Sequence, residues 1–161
     1  IDVANGALLK TLEVPDRPEA ITTNRRGDRV WVGSNDESVV SVISPATGQL
    51  VRQWSGFSWP YRILLTKDEK FAIMPDLGNE QLRFFEVESG VELGRLDLAG
   101  ARPQGVALYP DDRTLFLSLS GENRVLAINI ETQEVLGDYA TGKAPDGIGY
   151  SPLVLHKTIS Y

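Results

Sequence analysis

A period of about 42 residues runs through this chain and decides what it can fold into. Pro18, Pro60, Pro103 and Pro145 stand 42, 43 and 42 residues apart. Each opens a segment that ends on a β-branched residue: Arg17-Pro18-Glu19-Ala20-Ile21, Trp59-Pro60-Tyr61-Arg62-Ile63, Arg102-Pro103-Gln104-Gly105-Val106 and Ala144-Pro145-Asp146-Gly147-Ile148. Gly6, Gly48 and Gly90 keep the same ruler, with Gln133 at the equivalent place, and apolar runs start in step at Val39, Leu82 and Val125. A period of this length marks a repeat architecture, in which a unit too small to bury its own faces buries them against its neighbours.

Within one unit the residues read as four short strands. In the first complete copy, β-branched residues at 18–24 lead into the turn Arg25-Arg26-Gly27-Asp28, and residues 29–33 carry Val30, Trp31 and Val32. A polar loop at 34–38 precedes the run 39–43, and Ser44-Pro45-Ala46-Thr47-Gly48 turns the chain into a last strand at 49–54. No window carries a sustained helical period. Four strands in a repeat of roughly 40 to 45 residues is the pattern of a β-propeller blade. An open β-sandwich would explain the strands and turns but gives no reason for the period.

The expected fold is therefore all-β, a β-propeller of four-stranded antiparallel blades. The 161 residues hold about 3.8 units, so the chain is expected to be part of a larger propeller of about seven blades. The units are the end of one blade at 1–17, blades at 18–59, 60–102 and 103–144, and the start of another at 145–161. The amino end is read as a turn at 2–6 and a last strand at 7–14. The carboxyl end is read as an inner strand at 146–151, with a second candidate strand at 154–160. The chain opens on Ile1 rather than Met, with no visible secretory leader, so an upstream part is expected to be absent from it.

Composition removes several function classes. Sixteen Lys and Arg against 22 Asp and Glu leave a charge of −6, which repels phosphate backbones and excludes nucleic acid as the expected partner. No apolar run approaches the roughly 20 residues of a spanning helix, so no membrane span is expected. The absence of cysteine excludes a disulfide, a thiolate metal site and a cysteine nucleophile.

The segments Val40-Ser41-Val42-Ile43-Ser44-Pro45-Ala46-Thr47-Gly48, 82–90 and 125–133, with the clipped Ile1-Asp2-Val3-Ala4-Asn5-Gly6, resemble the repeats of the YVTN-type β-propeller family. That family's blades carry a proline-led inner strand, a Pro-Asp-Gly-Arg kind of turn and a Val-x-Val-Ile-Asp-x-x-Thr-Gly segment. Trp31-Val32-Gly33-Ser34, Ile73-Met74-Pro75-Asp76 and Phe116-Leu117-Ser118-Leu119 stand where its naming tetrapeptide falls. The resemblance spans nearly the whole chain and implies a periplasmic, cell-surface or secreted setting.

In an up-and-down blade the loops after the second and fourth strands share one rim. Residues that follow each repeat proline begin the innermost strand, so Glu19, Tyr61, Arg62, Gln104 and Asp146 are expected to approach the central channel. Arg17, Trp59 and Arg102 adjoin them on the rim, where Arg17 and Arg102 have the alternative of pairing with nearby acids. These positions vary while the framework repeats, as expected of a surface that binds a protein, glycan or small ligand. Trp59-Pro60-Tyr61 is the most distinctive departure, because aromatics favour binding hot spots; the pair could equally plug the channel. Trp31 and Trp54, inside strands, are expected to pack between blades.

Catalytic signals are weak. His156 is the sole histidine, which excludes a multi-histidine metal or haem site in this segment. Asp68-Glu69 and Asp111-Asp112 recur at one turn of successive units, which favours turn formation over acid-base work. Asp76-Leu77-Gly78-Asn79 lacks the spaced carboxylates of a calcium loop. Gly142-Lys143 is followed by Ala144, so no phosphate-cradling loop is present. No cofactor is expected. The leading expectation is a non-catalytic binding scaffold. The alternatives are an enzyme, lactone hydrolase-like or a dehydrogenase subunit, with its active residues on absent blades, and a half-ring that self-associates through open blade edges.

Overall fold

β-branched and aromatic runs separated by polar turns form twelve strands in a computed structural model that describes residues 1–153. The first unit supplies β1 (Pro18–Thr23), β2 (Val30–Ser34), β3 (Val39–Ile43) and β4 (Leu50–Trp54). The second supplies β5 (Leu64–Leu65), β6 (Phe71–Asp76), β7 (Gln81–Glu86) and β8 (Glu92–Asp97), and the third β9 (Pro103–Leu108), β10 (Thr114–Leu119), β11 (Arg124–Asn129) and β12 (Val135–Ala140). Each set pairs in sequence order into one antiparallel four-stranded sheet.

The period of two along each strand sends alternate side chains to opposite faces, and both faces find a neighbour. From the first sheet Trp31, Val40, Val42 and Trp54 pack against Ala72, Met74 and Phe85 of the second. The opposite face of the second sheet, with Ile73, Leu82 and Phe84, meets Leu115, Leu117, Leu126 and Ile128 of the third. Full burial of a side chain such as Phe84 contributes about 2 to 3 kcal/mol, so these two seams carry most of the apolar stabilisation. Arg83 enters the first seam buried. Its guanidinium meets Glu92 through two hydrogen bonds, donates to Gly56 O at 3.0 Å and lies 4.1 Å over the Phe57 ring.

The ruler seen in the sequence is a ruler of backbone conformation. Gly6, Gly48, Gly90 and Gln133 all have positive φ, between 60° and 81°, and each donates its N–H four residues back to close the same turn. Glycine takes this conformation without steric cost, and Gln133 adopts it only because the turn demands it. The turn acids also do structural work. Asp68 accepts from Thr66 Oγ1 and the Lys70 amide, and Asp111 from the Arg113 and Thr114 amides. The Thr66 hydroxyl, followed by the Lys70 amide, holds the Asp68 carboxyl below the usual range against the effect of burial.

Three expected strands differ. Residues 7–14 run beside the first sheet without a ladder. Their placement nevertheless follows the repeat. Lys10 Nζ donates to Pro45 O and Ala46 O, and Arg52, 42 residues on, donates to Val87 O and Glu88 O of the next sheet. Residues 146–151 are also outside any ladder, although they press so closely on β9 that a Cβ at Gly105 would strike Asp146 O. The candidate strand 154–160 and His156 lie outside the described residues.

The third difference is the inner strand of the second unit, reduced to Leu64–Leu65 and a single bridge between Pro60 and Asp76. Pro75 is the cause. Tyr61 N donates to Pro75 O at 2.9 Å, but Pro75 has no N–H to return to Tyr61 O, which accepts from Arg62 Nη1 at 2.7 Å instead.

Candidate functional site

Register shifts by one residue after the repeat proline of every unit, between Pro18 and Ala20 in β1, opposite the step from Leu117 to Leu119 in β9, and between Pro60 opposite Asp76 and Leu64 opposite Ile73 in the second unit. A bulge re-aims the side chain it carries. The prolines are preceded by residues in the left-handed region, Arg17 at φ 52°, Arg102 at 53° and Ala144 at 48°. Trp59, the equivalent residue of the second unit, is not in that region. It is fixed by Asp76, a fully buried carboxylate that accepts from the amides of Ser58, Trp59 and Asn79 and from Asn79 Nδ2.

With the backbone set this way, five of the eight residues singled out from the sequence come together. Glu19 Oε2 accepts from Trp59 Nε1 at 2.6 Å and from Asn35 Nδ2 at 2.7 Å. The Trp59 and Tyr61 rings meet edge to face with centroids 6.4 Å apart. Tyr61 OH lies 3.1 Å from both carboxylate oxygens of Asp146, and the Arg62 guanidinium lies 4.2 Å over the Tyr61 ring. The first unit, the second unit and the segment after the third are thus joined at one mouth. Tyr61 is buried there, while Glu19 and Asp146 are exposed and keep lone pairs for another donor.

The other three stand apart from this chain of contacts. Arg17 is turned to Asp36, at 2.9 Å, in an exposed pair of the kind that adds little stability. Arg102 is exposed and Gln104 half-buried, and neither side chain has a hydrogen-bond partner among the described residues.

Burial pushes the Tyr61 phenol above its ordinary range, and the hydrogen bond to Asp146 and that group's charge push the same way. At neutral pH Tyr61 is therefore a neutral donor rather than a base. An aromatic wall flanked by two accepting carboxylates and one guanidinium suits recognition of polar groups better than proton transfer. Among the described residues no three acidic or histidine side chains gather to hold a metal.

Asp76 and Pro75 were the groups that sequence reasoning missed as determinants of this mouth. Both carried a signal: a proline inside a run that otherwise reads as a central strand, and a carboxylate where the ruler puts Ser34 and Leu119 in the other units.

Sheets stacked seam to seam, with their proline-led segments meeting at one mouth, define an arc of a β-propeller. No family model and no curated protein matches the chain. Solved structures share the fold. Hydrazine synthase of Kuenenia stuttgartiensis superposes with a TM-score of 0.77 at 19% identity, over 91% of this chain and 43% of that one. The β-propeller domain of Myceliophteria thermophila Cps50 (Swd1) gives 0.70 at 13% identity, over 84% and 45%, and U3-55K gives 0.71 at 11%, over 82% and 42%. The chain spans less than half the length of each. An enzyme stands among these neighbours beside two propellers whose names carry no reaction.

Proposed function

We propose that this chain is the recognition-bearing arc of a larger propeller, with YVTN-type blades, and that it binds a protein segment or small ligand at the channel mouth. The observation that carries the reading is the contact chain from Glu19 through Trp59 and Tyr61 to Asp146, which gathers side chains of three units around one opening. Arg62 belongs to the same mouth, Arg102 and Gln104 extend it along the rim as groups available to an incoming partner, and Arg17 would join them by exchanging its exposed pair with Asp36. The family resemblance supports a periplasmic, cell-surface or secreted site of action.

The test is a peptide and fragment screen against the isotope-labelled protein. Chemical-shift changes are expected to cluster at Trp59 Nε1–H, Arg62 and the 146–148 amides, and Trp59→Ala is expected to weaken such ligands at least about tenfold. Ligands that bind only elsewhere, or with equal affinity to the variant, would remove the proposal. The enzyme alternative is supported by the likeness to hydrazine synthase and would place the reacting groups on further blades. Turnover of lactone or amine substrates by the full-length protein would establish it. A half-ring that pairs with a second copy would show twice the chain mass in solution.

A further inference from the structure

The four residues that follow the repeat prolines are Glu19, Tyr61, Gln104 and Asp146, and the two carboxylates among them are exposed at the mouth. Their hydrogen-bond partners are neutral. Glu19 accepts from Trp59 Nε1 and Asn35 Nδ2, both through Oε2, and Asp146 accepts from the Tyr61 hydroxyl. A neutral donor orients a carboxylate without cancelling its charge. Among the described residues neither Glu19 nor Asp146 forms an ion pair, whereas Glu92, Glu122 and Asp138 each hold an arginine.

The cations nearby are engaged with other groups or stand apart. Arg62 donates to Tyr61 O at 2.7 Å and lies 4.2 Å over the Tyr61 ring, so this aromatic wall already takes positive charge on one of its faces. Arg17 is paired with Asp36, and Arg102 is outside the chain of contacts. The second ring of the wall, Trp59, is 37% exposed and, among the described residues, has no cation over it. An indole face attracts a cation more strongly than a phenol or phenyl face does. What remains unmatched is negative charge beside an open aromatic surface.

We infer that the mouth selects a basic protein segment, one lysine or arginine of which lays its aliphatic stem on Trp59 and gives its N–H donors to Glu19, with Asp146 adding attraction from beyond Tyr61. This rests on the recognition role proposed above and names the chemistry of the ligand. The stem of a long cationic side chain covers apolar surface while its head stays among acceptors, which is the division that Trp59 and Glu19 present.

Three pentapeptides that differ only at the central residue, lysine, ε-acetyl-lysine or glutamate, test this in titrations of the isotope-labelled chain. The lysine peptide is expected to shift Trp59 Nε1–H and the 146–148 amides saturably, to bind at least about tenfold more tightly than the other two, and to weaken as salt rises from about 0.1 to about 1 M. Glu19→Gln, which keeps an acceptor for Trp59 and removes the charge, is expected to weaken the lysine peptide about five- to tenfold and to leave the acetyl-lysine peptide unchanged. Asp146→Asn is expected to weaken it about two- to fivefold. Equal binding of the three peptides at the mouth, preference for the glutamate peptide, or unchanged lysine-peptide affinity in Glu19→Gln would each overturn the inference and leave the mouth a site for other ligands. If no peptide moves these resonances the inference falls, and if the wider fragment screen is silent there as well the recognition role falls with it. Should Glu19→Gln not fold, the ranking of the three peptides on the parent chain decides.

Discussion

The proline junction of the second unit and those of the first and third units start from the same landmark and end differently. In the outer two, a left-handed residue feeds a six-residue inner strand, although all three units shift register by one residue after the proline. In the second, the bond that Pro75 cannot donate is missing, the Trp59 amide is held by the Asp76 carboxylate, and the strand shrinks to two residues. The departure frees the backbone around Pro60 to present aromatics at the mouth. A repeat thus keeps its sheets while one unit gives up local regularity to build a surface.

The largest expected effect tests whether Asp76 is what separates the junctions. Asp76→Ala strands three half-buried amide donors and is expected to lower stability by about 2 to 4 kcal/mol in urea unfolding. Ser34→Ala, at the same place on the ruler, removes one neutral hydrogen bond to Pro15 O and is expected to cost about 1 kcal/mol. Similar losses for the two would erase the distinction.

Glycine probes the backbone directly. Arg102→Gly relieves a left-handed residue without removing a side-chain hydrogen bond, so its stability is expected to stay within about 0.5 kcal/mol of the parent. Trp59→Gly gains no such relief and loses the Glu19 bond and the contact with Tyr61, an expected loss of about 2 kcal/mol by the same measurement.

A third variant should make the second junction resemble the others. Pro75→Val supplies the missing N–H, and hydrogen exchange is expected to find a protected amide at 75. The net stability change is expected to be under about 1 kcal/mol, because the added bond is offset by the freer unfolded chain that loses a proline.

The smallest effect concerns alkaline pH. The folded Tyr61 phenol titrates above its unfolded value, so the folded state holds more protons in that window and stability falls as pH rises from about 10 upward. Below that point the contribution is complete. Tyr61→Phe is expected to remove this part of the alkaline decline, measured as the difference between the two proteins' unfolding free energies across pH 9 to about 11.

The strands of the first unit were legible in the sequence to within a residue, because alternation and turn chemistry act locally. The positive φ of the turns closed at Gly6, Gly48 and Gly90 was legible as the glycine ruler, with Gln133 in register, whereas that of Arg17, Arg102 and Ala144 was not. The mouth was partly legible: proline spacing brought Glu19, Tyr61, Arg62 and Asp146 to one place, but not the bonds between them, which join residues 40 and 85 positions apart. Arg83 could not have been read as buried, since its neutralisation by Glu92 and its place over Phe57 exist only after two sheets meet. The unpaired end segments escaped because pairing depends on a partner strand and not on the segment's own propensity.

The cross-sheet clasp of Lys10 on Pro45 and Ala46 is repeated by Arg52 on Val87 and Glu88, whereas in the second unit Gly94, at the register of Arg52, has no side chain to repeat it and Arg95 turns to Glu92 of its own strand. A gene that gains or drops a whole module at the first two joints keeps cation and carbonyls in step, whereas a change of a few codons within a module misaligns them. Growth of such a protein by duplication is therefore quantised in whole modules, while the third joint shows that a seam can also hold without the clasp.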